Sequence, residues 1–159
     1  MIRGFEQVVM SSEVEAGRFY LEQSYQGGHR LLQCVVVDGE EGDPPRMMAV
    51  DFTQGSIDGL TLTTFTQFAP LVLMPHVDVR IDPPSMTGTN ITQSLNAGML
   101  FVYGDEPFVT VRHSRGLWAA FNINTGHMLN GTLRNWVAFQ RWLLVVEENG
   151  QEVAIAEFG

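Results

Sequence analysis

The residues with the most varied chemistry in this sequence lie together at positions 112–118. This stretch reads Arg-His-Ser-Arg-Gly-Leu-Trp and combines two guanidinium groups, an imidazole, a hydroxyl and an indole. Such a set could supply a general acid or base together with clamps for an anion. Neighbouring residues on a strand point to opposite faces of a sheet, however, so the local fold decides which of these side chains can meet.

The pattern around this stretch predicts a β-hairpin with a three-residue loop at residues 114–116, in which Gly116 takes the left-handed position. One face of this hairpin is apolar, so we interpret His113 as a histidine at the edge of the core. The other face combines arginine, tryptophan and asparagine. The predicted pairs are His113 with Leu117, Val111 with Ala119 and Val109 with Phe121 on the apolar face, and Arg112 with Trp118, Thr110 with Ala120 and Phe108 with Asn122 on the other.

The second face predicts a contact surface for a ligand or a protein partner. An arginine stacked on an exposed indole stabilises by about 0.5–1 kcal/mol, and Trp and Arg are enriched among the residues that dominate protein interfaces. An anionic or sugar-like partner fits this chemistry. Alternatively, other parts of the same chain cover Trp118, which then has a structural role. The candidate contact residues are Arg112, Arg115, Trp118, Asn122 and Asn124.

These residues favour a non-enzymatic interaction or ligand-binding module. The alternative is a small hydrolase or isomerase that uses His113 or His127 as acid/base and Arg112 or Arg115 as an anion clamp. That alternative requires the side chains to converge in one cleft. Carbohydrate binding through Trp118 is a third interpretation.

Two features of the composition exclude whole classes of chemistry. The chain contains no lysine, which removes phosphate-loop, Schiff-base and Ser-x-x-Lys mechanisms because each needs an amine. Its one cysteine, Cys34, excludes an internal disulfide and any site with several thiolate ligands. Cys34 lies in an apolar run and is interpreted as an inert core thiol. The four histidines lack metal-ligand spacing, so we expect no metal site and no cofactor.

The charge is unevenly distributed along the chain. The net charge is −9, which argues against nucleic acid as a partner. Residues 107–146 hold four of the nine arginines and no acid, so they carry +4, while the remaining five arginines and eighteen acids give −13. This asymmetry predicts docking onto an acidic patch of another subunit, and therefore a homo-oligomer or a protein partner.

The hydrophobic pattern predicts a mainly β fold, either an antiparallel sandwich or a partly open barrel with one or two short helices. We expect a single domain over residues 1–159, with a Pro/Thr/Gly linker at 82–89 that could divide it into 1–84 and 90–159. A short helix follows that linker and ends at Gly98. Residues 13–26 fit a helix and a strand equally well.

The clearest turn signal is Asn149-Gly150, which is typical of a two-residue type I′ hairpin. This turn places Val146 opposite Val153, Val145 opposite Ala154 and Leu144 opposite Ile155. Both faces are apolar, so the sequence predicts a central, buried hairpin. The residues 136–148 are expected to form one strand with Trp136, Phe139 and Trp142 in the core.

The sequence also carries an expectation about location. Its longest apolar runs are too short to span a bilayer, and its first residues lack the layout of a signal peptide. We therefore expect a cytoplasmic protein with no membrane partner.

Overall fold

The computed structural model describes residues 7–23, 28–53, 60–89, 98–112, 118–129 and 136–159. These residues form two β-sheets that do not close into a barrel, which confirms the predicted mainly β class and fits a sandwich. Helical structure within these ranges consists of two short 3₁₀ turns, at Ser11–Glu13 and Pro83–Ser85. None of the described residues form a helix of the length and hydropathy that crossing a membrane requires.

The described residues contain fourteen strands, and most are between two and seven residues long. Because the alternating apolar residues fit a pleated surface, the chain runs back and forth with tight turns. The strands are β1 (Val8–Val9), β2 (Phe19–Gln23), β3 (His29–Val37), β4 (Arg46–Asp51), β5 (Thr61–Thr63), β6 (Leu71–Leu73), β7 (Val77–Ile81), β8 (Met86–Thr89), β9 (Leu100–Tyr103), β10 (Glu106–Arg112), β11 (Trp118–Asn122), β12 (Val137–Phe139), β13 (Trp142–Glu148) and β14 (Gln151–Phe158).

Eleven of these strands form the large sheet and three form the small one. The large sheet has the order β1-β6-β2-β3-β4-β5-β10-β9-β12-β8, and β11 pairs with β10 beside this path. Its pairings are antiparallel apart from one parallel contact between Arg112 and Thr61. The small sheet has the order β14-β13-β7, so β13 is central and β14 is an edge.

The main core lies between the two sheets. Trp142 of the small sheet stacks on Phe158, with ring centroids 4.1 Å apart, and meets Phe52 of the large sheet edge-on at 6.4 Å. Leu144 and Val146 extend the same buried face of β13. A second cluster packs Phe101, Phe108, Trp136 and Ala138 together at the β9–β12 end of the large sheet. The core positions predicted for Trp136, Phe139 and Trp142 are confirmed.

The predicted register of the β10–β11 hairpin is confirmed at all five described pairs, from Phe108–Asn122 to Arg112–Trp118. The second face of this hairpin was predicted to be a contact surface, but most of its described residues are buried. Phe108, Thr110 and Asn122 on that face are all buried, and Phe108 belongs to a buried cluster with Phe101 and Trp136. The middle of the hairpin is therefore covered on both sides. The loop at 113–117, with its proposed His113–Leu117 pair, lies outside the described residues.

The type I′ turn at Asn149-Gly150 is confirmed, since both residues have positive φ angles of 52° and 77°. The predicted Val146–Val153 and Val145–Ala154 pairs are present. The predicted Leu144–Ile155 pair is wrong, because a β-bulge shifts the register and Leu144 pairs with Ala156 instead. The prediction of a central hairpin is also wrong for β14, which is a largely exposed edge strand.

The structure also describes parts of the chain to which three further expectations apply. Residues 136–148 form two strands in different sheets, β12 and β13, because the chain crosses between sheets at Gln140 and Arg141. The proposed linker at 82–89 holds a 3₁₀ turn and strand β8, and the Ser85 hydroxyl accepts a hydrogen bond from the Arg141 amide at 3.0 Å. The described part of 13–26 forms strand β2 and no α-helix. The helix expected before Gly98 falls on 90–97, outside the described residues.

Candidate functional site

The structure describes three of the five predicted contact side chains, those of Arg112, Asn122 and Asn124, and these three do not share one exposed surface. Arg112 is exposed at the end of β10, and Trp118, of which only the backbone is described, faces it across the hairpin. Arg115 lies outside the described residues, as does His113 of the alternative enzyme. Asn122 is only 5% exposed, so a ligand on the outside cannot reach it. Asn124 is exposed.

The hairpin separates these residues into two groups. Arg112 and Trp118 pair at one end, and Phe108 and Asn122 pair at the other. Four residues of strand separate the two ends, which corresponds to about 13 Å. His127 lies at the second end, because its carbonyl accepts the Asn122 amide at 2.9 Å. The structure therefore places His127 and Arg112 at opposite ends of the hairpin, while the other combinations of the alternative enzyme involve His113 or Arg115, which lie outside the described residues.

Asn122 has a structural task at its end of the hairpin. Its side-chain Oδ1 accepts hydrogen bonds from the backbone amides of Asn124 at 2.8 Å and Thr125 at 3.2 Å. Its carbonyl accepts the Gly126 amide at 2.7 Å. Asparagine is suited to such turns because its side chain satisfies nearby backbone donors. The result is a fixed turn over residues 122–126 that holds Asn124 at the surface.

This turn packs tightly against strand β3 and the segment that precedes β2. The Gly126 carbonyl accepts the Val36 amide at 2.9 Å, and the Gly17 amide donates to the Cys34 carbonyl at 2.8 Å. Gly126 and Gly17 both have positive φ angles, and their backbones nearly touch. No side chain larger than hydrogen fits at this crossing. We call it the glycine crossing, defined by Gly17 and Gly126.

A cleft of about 350 Å³ opens beside the glycine crossing. Its volume is within the range of small-molecule sites. Three chain segments form it: the approach to β2, the connection from β6 to β7, and the turn after β11. Its polar side chains are those of Arg18, His76 and Asn124, and its other lining residues are Ala16, Gly17, Phe19, Met74, Pro75, Val77 and Ile123.

Backbone hydrogen bonds hold these three segments in place. The Arg18 carbonyl accepts the Cys34 amide at 2.9 Å, and the Phe19 carbonyl accepts the Met74 amide at 2.9 Å. Pro75 then restricts the backbone directly before His76. The polar side chains of the cleft are therefore attached to backbone segments that hydrogen bonds fix to well-packed strands.

The charge of the cleft is set mainly by Arg18. Its side chain is exposed and makes no ion pair with any residue in the described ranges. The His76 Nε2 atom lies 3.0 Å from Oδ1 of Asp78, and the His76 side chain is 83% exposed. Asp78 lies outside the lining and also faces Arg80 at 3.9 Å. Among the described residues, the cleft thus presents a guanidinium without an ion-pair partner and no carboxylate.

A buried amide lies directly beneath the cleft. Gln33 is fully buried in β3, and its Nε2 donates to the carbonyls of Gly17, at 3.3 Å, and Ile123. Its Oε1 has no hydrogen-bond partner within the part of the chain that the structure describes. A buried polar atom is costly without a partner. Gln33 therefore connects two of the three cleft segments at an energetic cost.

The sequence reasoning missed Arg18, His76 and Gln33. No linear spacing joins positions 18, 76 and 124, because the sheet order alone brings them together. Gln33 did carry a signal, since it is the single strongly polar residue in the apolar run 31–37. Its position indicated that something in the fold must satisfy a buried amide.

Cys34 is a buried core thiol, as predicted, and the loop at 38–45 lies at the surface. The Cys34 side chain is fully buried, and burial raises the pKa of its thiol to about 11, which makes it unreactive. The loop is exposed throughout. No group of three or more His, Cys, Asp and Glu side chains within the described ranges is arranged to hold a metal ion.

Comparisons with known proteins add no family assignment: no family model, no curated protein and no solved structure matches this chain.

Proposed function

We propose that this protein is a non-enzymatic binding module whose cleft takes a small anionic or sugar-like ligand. The observation that carries the proposal is the Arg18 guanidinium, which stands at a cleft of about 350 Å³ whose described lining residues include no carboxylate. The proposed ligand class is the one that the sequence predicts. The proposed binding site is the cleft, whereas the sequence predicted the face of the β10–β11 hairpin. Asn124 is common to the predicted contact set and to the cleft.

The lining supports this ligand class on chemical grounds. A guanidinium binds carboxylate and phosphate groups through parallel hydrogen bonds, which are stronger than neutral ones. The Asn124 amide offers both donors and acceptors to a hydroxyl group, and the His76 ring adds a further polar contact. Met74, Pro75 and Ile123 supply apolar surface for the body of the ligand. A ring compound that carries an acid group combines all of these contacts.

Removal of the Arg18 side chain should test the proposal directly. We expect Arg18→Ala to weaken binding of glucuronate or citrate by about 10- to 100-fold, because a hydrogen bond to a charged group contributes about 1.5–3 kcal/mol. Isothermal titration calorimetry at low salt measures this change. Arg46→Ala is the matched control, since Arg46 is also exposed but lies away from the cleft on β4, and it should leave the affinity unchanged.

The same titrations distinguish the cleft from the hairpin end. Loss of binding in Arg112→Ala with unchanged binding in Arg18→Ala would place the ligand at the Arg112–Trp118 end and contradict the cleft. Neutral glucose serves as the second ligand. Binding of glucose equal to that of glucuronate would show that the guanidinium does not select the ligand.

Self-association, which the charge asymmetry predicts, stays a prediction. If the +4 stretch 107–146 docks on acidic residues of a second copy, the oligomer should dissociate as salt rises, because exposed charges are screened beyond about 10 Å at 0.1 M ionic strength. Size-exclusion chromatography with light scattering across a salt series measures this. A monomer at every salt concentration would exclude it.

A further inference from the structure

Strand β14 has an outer edge that pairs with no other strand in the described part of the chain. It is eight residues long, pairs only with β13 among the described strands, and is exposed over residues 151–154. Natural edge strands of this length are usually shortened, covered or interrupted by proline. This strand contains no proline and no lysine. Its backbone is therefore a template for a further strand.

The β-bulge places the two glutamates of β14 on the same face of the sheet. Glu152 pairs with Glu147 and Glu157 pairs with Leu143, and these two β13 positions share one face because they are an even number of residues apart. Without the bulge, Glu152 and Glu157 would lie on opposite faces, because they are five residues apart. The shifted register aligns both carboxylates on the outer face of the sheet.

The outer face of the small sheet is acidic as a whole. Asp78 and Arg80 lie on the same face of the neighbouring strands, because both pair with the β13 positions that face outward. Arg80 pairs with Glu152 and is the one cation among these residues. Four carboxylates (Asp78, Glu147, Glu152 and Glu157) and one guanidinium give this face a charge of −3.

The turn fixes which backbone groups point outward. A two-residue hairpin closes on a hydrogen-bonded pair, here Glu148 and Gln151. The next pairs alternate, so Glu152 and Ala154 direct their N–H and C=O groups away from β13. These two residues offer donors and acceptors at the spacing of an antiparallel or parallel partner strand.

We propose that β14 accepts an extended, basic segment of a partner protein as an additional strand of the small sheet. Main-chain hydrogen bonds to Glu152 and Ala154 would supply affinity, and the net negative charge of the outer face would select a segment that carries Arg or Lys. This surface is separate from the cleft, so the inference does not depend on the proposed function.

A second copy of this chain is the less suitable occupant at this edge. Antiparallel pairing of β14 with itself brings the Glu152 and Glu157 carboxylates of the two copies together on one face, and like charges on neighbouring strands are destabilising. The same carboxylates protect the edge from aggregation. Binding of a basic strand distinguishes a docking edge from an edge that is only protected against aggregation. Such binding should be lost when the outward backbone amides are removed.

Fluorescence anisotropy with labelled eight-residue peptides tests the proposal on the full-length protein. The probe alternates Arg and Val, the second peptide replaces each Arg with Glu, and the third keeps the Arg residues but replaces the Val residues with Pro. We expect the first peptide to bind and the other two to bind at least about tenfold more weakly, because one lacks charge complementarity and the other lacks main-chain donors. Equal binding of the Pro-containing peptide would overturn the strand addition.

Two protein variants complete the test. Ala154→Pro removes an outward amide and no bond to β13, so we expect peptide binding to fall at least about tenfold with an unchanged circular dichroism spectrum. Glu147→Arg should weaken binding similarly, and Glu40→Arg in the exposed loop is its control with the same change of net charge. If Ala154→Pro does not fold, the Glu147 and Glu40 pair decides the outcome. Equal affinities in that pair, or a peptide-free dimer that Glu147→Arg strengthens, would overturn the proposal.

Discussion

Replacement of Gly126 by alanine should destabilise the protein by about 3–4 kcal/mol or more, near the upper end of single substitutions. A Cβ atom at this position would lie 2.5 Å from the Gly17 nitrogen and 2.6 Å from the Cys34 carbonyl oxygen. Both neighbours are backbone atoms, so no side chain can rotate away. The φ angle of 74° adds the cost of a left-handed conformation, about 1–2 kcal/mol.

Gly42→Ala is the matched control for this experiment. Gly42 has a similar φ angle of 86°, but a Cβ atom there would meet nothing within 4 Å. Its substitution therefore reports the backbone cost alone, and we expect a loss of about 1 kcal/mol. Urea denaturation of both variants, with the slopes compared, gives the difference. Equal losses in the two variants would show that the glycine crossing relaxes and does not hold the turn rigidly.

The glycine crossing also connects stability with the proposed site. Gly17 lines the cleft, and Gly126 ends the turn that presents Asn124 to it. A shift of a few tenths of an ångström at this contact would move the cleft lining as well as the core. The Gly126→Ala variant, where it folds, should therefore bind the anionic ligand more weakly than the Gly42→Ala variant does.

The parts of the fold that follow from local signals could be predicted from the sequence. The β10–β11 register followed from alternation around Val109, Val111 and Phe121, and the Asn149-Gly150 turn followed from the need for two positive φ angles. Each of these signals lies within about fifteen residues of chain. Short-range patterning was therefore enough to obtain the two hairpins and the mainly β class.

The parts that depend on contacts between distant segments could not be predicted. Asn122 alternates correctly for an outward position on the hairpin, yet it is buried, and its side chain is used by the backbone amides of Asn124 and Thr125. The bulge opposite Leu144 and Val145 inserts one residue without a glycine or proline to mark it. The cleft combines three segments whose proximity follows from the order of strands in the sheet.

Glu22 is a further residue whose role in stabilising the fold could not be predicted from the sequence. It is 2% exposed and accepts hydrogen bonds from the Arg30 guanidinium at 2.6 Å, the Thr66 amide at 2.9 Å and the Thr66 hydroxyl at 2.8 Å. Arg30 also reaches the Thr64 carbonyl at 3.2 Å. This network connects the β2–β3 hairpin to the segment before β6. Polar groups at such a depth stabilise a fold only when each has a partner.

Glu22→Gln should destabilise the protein by about 3 kcal/mol at neutral pH. The substitution keeps the shape of the side chain but removes the charge that pairs with Arg30. The NH₂ group of the glutamine also faces other hydrogen-bond donors, so it has no acceptor there. Loss of one partner of a buried pair costs about 3–5 kcal/mol. The lower end applies here because Arg30 remains 28% exposed and can turn to water.

The effect should depend on pH in a defined direction. Burial acts to raise the pKa of the Glu22 carboxyl, but the hydrogen bonds from Thr66 and Arg30 together outweigh it, so this pKa lies below its usual value. A lowered pKa in the folded state contributes stability that is fully present above the unfolded pKa of about 4.3. That contribution is lost as the pH falls through the folded pKa. The stability difference between the parent protein and Glu22→Gln should therefore shrink below about pH 4.

Urea denaturation of the parent protein and the variant at a series of pH values from neutral to about 3 measures this dependence. Glu41→Gln in the exposed loop is the control, since it removes the same charge without a buried partner, and it should match the parent protein at each pH. A Glu22→Gln difference that stays constant with pH would mean that shape and hydrogen bonding, and not the charge, hold this network. The carboxylate would then have no advantage over an amide at this position, and Arg30 would be held by the Thr63, Thr64 and Thr66 oxygens instead.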